Sequence, residues 1–183
     1  ASEEGSSAQA FRHLQNAICS FRDALASRDG LSAQRREVAN NCLAYTLFRL
    51  GELQLETLAL DIIDAEQAKS SFRECLELRG LSDARSSTAR KYLAFACYAE
   101  AKAHFACGNI KEAQNLFKIT KQKHGGNLPE AVKVKLDKYC KVDMREALAD
   151  LELWFMNKPL SFKKTDAAEY ASKFAAWMDD EGY

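Results

Sequence analysis

The sequence predicts an all-α fold: an array of helical hairpins closed at its C-terminal end by a capping helix. Two internal repeats and the composition point to it. Residues 17–22 (Ala-Ile-Cys-Ser-Phe-Arg), 68–73 (Ala-Lys-Ser-Ser-Phe-Arg) and 113–118 (Ala-Gln-Asn-Leu-Phe-Lys) each place a small residue, an aromatic one turn later, and then a cation. Ala and Phe four apart share one helix face, so the pattern describes a helix approached closely at the Ala and anchored by the Phe. The second repeat is longer. Gly30-Leu31-Ser32 returns as Gly80-Leu81-Ser82, and Ala39, Leu43, Ala44 and Tyr45 return as Ala89, Leu93, Ala94 and Phe95, with a weaker echo at Gly126, Leu128 and Leu136. The unit is a Phe-anchored helix, a Gly-Leu turn and a second helix carrying Leu-Ala-aromatic. Such a pair buries its apolar face only by stacking on neighbours. Ala, Leu, Glu, Lys, Arg and Gln dominate, only two prolines interrupt the chain, and no strand-like alternation of β-branched or aromatic residues occurs.

Taken in order, residues 8–28 form the first helix, anchored at Ala17 and Phe21. Residues 1–7, rich in Ser, Gly and Glu, are expected to be disordered, which leaves 8–183 as one domain, long enough to bury a sizeable core. Helix 33–60 carries Leu43 and Ala44. Leu53, Leu55, Leu58, Leu60, Ile62 and Ile63 make 52–65 too apolar for a free linker, so this stretch extends that helix and bends into the next. Residues 64–79 hold the second anchor, Phe72, and 83–107 repeat the Leu-Ala-aromatic helix. Residues 109–124 start at the capping candidate Asn109 and hold Phe117; Gly125-Gly126 then reads as a C-cap and turn. Residues 129–155 form a sixth helix, either split at Asp143 or running through it. In 164–179, Ala167, Tyr170, Ala171, Phe174, Trp177 and Met178 make an apolar stripe. A terminal cap turns such a stripe inward; a detachable segment is the alternative.

Over Ala101-Lys-Ala-His-Phe105-Ala-Cys-Gly108-Asn109-Ile110-Lys-Glu112-Ala113-Gln-Asn-Leu-Phe117 the chain resembles the tetratricopeptide repeat. In that family an aromatic-bearing helix ends at a Gly-Asn or Gly-Asp-aromatic turn, followed by Glu-Ala and an aromatic four residues on. Residues 44–51 resemble the first half of another copy and 66–72 its second half, with fourteen residues between them. The repeat interval is near fifty, against about 34 for the standard unit. The resemblance covers residues 10–125 and implies a right-handed tetratricopeptide-like solenoid whose first helices line a concave groove. Asn40, Asn41, Tyr45, Arg90, Lys91 and Phe95 are then the implied partner-binding positions. Some members grip a C-terminal carboxylate with Lys and Asn on successive first helices. Asn41 and Lys91 fall near comparable places, but Cys42 and Tyr92 follow them and the full set of cations and amides is missing.

Other classes find little support. Six cysteines stand singly in helical segments without Cys-x-x-Cys, which reads as buried reduced thiols in a cytoplasmic or nuclear protein. His13, His104 and His124 show no metal-ligand spacing, and no catalytic residue, metal or cofactor is assigned. No apolar stretch reaches the length of about 18 residues that spans a bilayer, so membrane insertion is not expected. The formal net charge is zero but unevenly spread. Glu52, Glu56, Asp61, Asp64 and Glu66 lie between Arg49 and Lys69 without an intervening cation, whereas 111–141 hold eight lysines. Lys133, Lys135 and Lys138 mark either a solvated helix face or a surface for an acidic partner. Neutrality and the scarcity of Arg in that zone argue against nucleic acid. The expected function is a non-catalytic protein–protein interaction module, an adaptor or scaffold holding a peptide or helix in a groove. A small-ligand or signal-peptide sensor with an internal pocket, and a helical enzyme, are the alternatives.

Overall fold

The computed structural model describes residues 3–27, 31–56 and 62–141, and every regular element in them is helical. The helices are α1 (Glu3–Ala26), α2 (Ala33–Glu56), α3 (Ile62–Glu77), α4 (Asp83–Ala106), α5 (Ile110–His124) and α6 (Glu130–Lys141), with a 3₁₀ turn at Gly125–Asn127. α1 begins at Glu3, inside the stretch expected to be disordered. Ser and Gly cost a helix interior only roughly 0.5–1 kcal/mol each, too little to set its start. α2 carries the predicted extension to Glu56. Residues 57–61 with Leu58 and Leu60, Gly30 of the first Gly-Leu-Ser, Asp143 and the helix at 164–179 with its stripe lie outside the described residues.

The chain divides into two compact units, Ala1–Ala96 and Cys97–Tyr183, so α4 supplies its N-terminal part to the first and its C-terminal part to the second. In the first unit α2 and α3 form an antiparallel hairpin. Phe72, fully buried, lies on Gly51; a Cβ there would come within 2.7 Å of the ring. Phe48 meets Phe72 edge-on at 6.2 Å and Tyr92 meets it at 5.6 Å, so three rings close the hairpin. At the other end, Gly80 approaches α2 so closely that its Cβ would sit 2.7 Å from the Asn41 Cα. Arg79, not the glycine, takes the left-handed position after α3, with φ 52°. At Gly80 the glycine of the Gly-Leu-Ser repeat therefore answers to close contact with α2. Its serine is a cap: Ser32 Oγ accepts from the Arg35 N–H at 3.3 Å, and Ser82 Oγ from the Arg85 N–H at 3.5 Å, at the starts of α2 and α4.

α1 packs against α2, with Arg36 Nη1 donating to the Leu25 carbonyl at 3.4 Å, and is tied to α3 by Arg22 Nη2, 2.7 Å from both Glu74 carboxylate oxygens. Phe21 is only half-buried, whereas Phe72 and Phe117 are fully buried.

In the second unit, α4 ends in a Schellman turn. Gly108 has φ 77°, its N–H bonds the Phe105 carbonyl at 3.0 Å, and the Asn109 N–H bonds the His104 carbonyl at 2.9 Å. Asn109 sits at the start of α5, but its side chain makes no cap; its Nδ2 lies 3.4 Å from His104 Nδ1. The core here is aromatic. Phe117 and Tyr139 stack at 4.4 Å and 8°, with Phe105 5.8 Å from Tyr139 and Tyr98 5.9 Å from Phe117.

Candidate protein-interaction face

The α2 and α4 helices lie side by side in the first unit. Phe48 stacks on Tyr92 with ring centres 6.2 Å apart, and the Arg85 guanidinium carbon lies 4.7 Å from the Tyr45 ring centre. The inward sides of both helices are apolar, with Leu43, Ala44, Leu47, Ala89 and Leu93 buried. What remains outward is the candidate site. On α2, Val38, Asn41 and Tyr45 follow helical three- and four-residue spacing and are all exposed, Val38 by 57% and Tyr45 by 42%. A cation over an exposed ring is worth about 0.5–1 kcal/mol, enough to bias the Tyr45 ring toward one orientation beside Asn41. On α4, Arg90 and Lys91 are exposed.

Of the positions implied by the family resemblance, Asn41, Tyr45, Arg90 and Lys91 thus reach solvent, while Asn40 and Phe95 are half-buried. Lys133, Lys135 and Lys138 belong to α6 in the second unit, and all three are half-buried. Lys133 Nζ is 3.3 Å from Glu130, and Lys121 of α5 pairs with Asp137 at 2.8 Å. The hydrogen bond to Asp137 raises the Lys121 pKa above its ordinary value. Acids interleaved in the lysine-rich helices therefore neutralise part of the charge that the linear count suggests.

Two contributors escape the repeat pattern. Val38 carried a signal, lying seven residues before Tyr45 and so on its face. Arg85 shows itself only through the cap, since it is the residue whose N–H Ser82 accepts.

The thiols differ from expectation. Cys75 and Cys97 are buried, Cys42 and Cys140 are half-buried, and Cys19 of α1 and Cys107 just past the end of α4 are exposed. Burial, with the neighbouring Glu74 charge adding to it, pushes the Cys75 thiol up to about 12, so it stays protonated at neutral pH. Burial also raises Cys140. Among the described residues no helix is long and apolar enough to cross a membrane. Compared with known protein families, characterised proteins and solved structures, the chain matches none.

Proposed function

We propose that the chain is a non-catalytic protein–protein interaction module, an adaptor or scaffold of tetratricopeptide-like architecture, which binds a partner peptide or helix across the α2/α4 face. The observation that carries this reading is the exposed Tyr45 ring under Arg85, flanked by Val38 and Asn41. Tyr and Arg are among the residue types that carry most of the binding energy at protein interfaces. Helix direction supports the repeat architecture: the Tyr45–Arg85 and Phe48–Tyr92 contacts advance the same way along α2 and α4, as first helices of successive hairpins do. The partly neutralised lysines of α6 steer an acidic partner, and reduced thiols go with a cytoplasmic or nuclear location.

Partner recovered from native lysate on the intact chain provides the ligand for kinetics. Reversing Lys133, Lys135 and Lys138 to Glu is expected to lower the association rate with a steep salt dependence, while altering Asn41, Tyr45, Lys91 and Phe95 together raises the dissociation rate. Kinetics indifferent to both sets of changes would refute this placement of the partner.

A further inference from the structure

We infer that the first unit holds a second binding site, a cleft walled by α1 and α3 and floored by α2, and that it takes an extended, uncharged peptide segment held by its main chain. The cleft is open to solvent and offers about 460 Å³, within the range of roughly 300–1,000 Å³ for ligand sites. It is distinct from the Tyr45–Arg85 face, none of whose residues line it.

The chemistry of its lining selects the occupant. Ile18, Leu47 and Leu50 make an apolar base, yet Gln54, only 5% exposed, stands among them. Burying a carboxamide is unfavourable unless it is hydrogen-bonded, and an apolar side chain would close the floor without that requirement. Here Ser71 Oγ donates to Gln54 Oε1 at 2.9 Å, and Gln54 Nε2 donates to Gln67 Oε1 at 3.3 Å. The consequence lies at the rim. With its oxygen fixed on Gln54, Gln67 keeps its remaining N–H capacity for a ligand. Gln15 and Asn16 stand exposed on the α1 wall, with Gln67 and Ser70 exposed on the α3 wall.

A carboxamide offers a donor and an acceptor side by side, the complement of a peptide group. Only an extended chain presents its N–H and C=O groups outward, since a helix spends them internally. Among the lining residues the charges are Arg22 and Glu74, and they pair with each other across the walls. No unpaired charge in the lining then compensates a charged ligand side chain for its lost water, so uncharged sequences are favoured.

The test uses the full chain and an array of short, end-capped peptides spanning charged and uncharged sequences. The readout is iodoacetamide alkylation of Cys19, which lines the cleft, against exposed Cys107 of the second unit. Uncharged peptides are expected to slow Cys19 and leave Cys107 unchanged. Methylating their main-chain nitrogens, or changing the exposed Asn16→Ala or Gln67→Ala, should weaken binding by about tenfold, while Tyr45→Ala leaves it unaltered. That last control separates failure of this site from failure of the α2/α4 face. The inference is overturned if no array peptide slows Cys19, if the binders are charged, or if N-methylated analogues bind as well as their parents.

Discussion

Phe72→Ala is expected to lower the unfolding free energy by about 3–5 kcal/mol, the cost of removing a fully buried ring that its surroundings cannot replace. Phe72 is 0% exposed and sits where three elements meet: on Gly51 of α2, edge-on to Phe48, and against Tyr92 of α4. Truncation leaves a cavity bounded by helix backbone on one side and by two rings on the other. Neither can collapse into it without shifting a helix. The complementary change, Gly51→Ala, fills a space that does not exist, because its Cβ would lie 2.7–2.9 Å from three carbons of the same ring. It should cost about 1–3 kcal/mol through overpacking. Chemical denaturation checks both, and a Phe72→Ala protein melting within a degree of the unmodified chain would contradict the anchor assignment.

Phe117→Ala is expected to cost a similar amount, about 3–5 kcal/mol, by a different route. Phe117 is fully buried and lies nearly parallel to Tyr139 at 4.4 Å, while Tyr98 lies 5.9 Å from it and 6.4 Å from Tyr139. Aromatic pairing contributes about 0.5–1.5 kcal/mol beyond the buried area, so Phe117→Leu should recover most of the area term but not the pairing. Near-ultraviolet circular dichroism follows the tyrosine environment while denaturation follows stability. Retention of the native tyrosine signal and of the midpoint in Phe117→Ala would show that the ring does not hold the second unit together.

The comparison of Phe21, Phe72 and Phe117 shows how far local pattern reaches. All three follow the same Ala-x-x-x-Phe spacing, and the helices they mark are present, because helix formation, caps and one apolar face are written within a few turns of chain. Burial is decided by what covers that face. Phe72 and Phe117 are sealed by neighbouring helices and Phe21 is not. The Gly-Leu-Ser repeat was visible as a recurrence, but its two roles needed coordinates: Ser82 caps α4, while Gly80 admits the Asn41 backbone from a helix some forty residues earlier. The α2/α4 face was partly legible for the same reason, since Asn41 and Tyr45 share one helical stripe. The α1/α3 cleft was not. Asn16 and Gln67 immediately precede the repeated Ala17 and Ala68, with Gln15 and Ser70 close by, yet only the packing of α1 and α3 on α2 makes them line one space.

The accessibility of Tyr45 tests the interaction face most directly. Hydroxyl-radical footprinting of the intact chain, alone and saturated with its captured partner, reports that side chain against Ile63 on α3, which is also exposed. Oxidation of Tyr45 and Val38 should fall steeply in the complex while Ile63 keeps its rate. Unchanged oxidation of Tyr45 at saturating partner would contradict binding across α2 and α4.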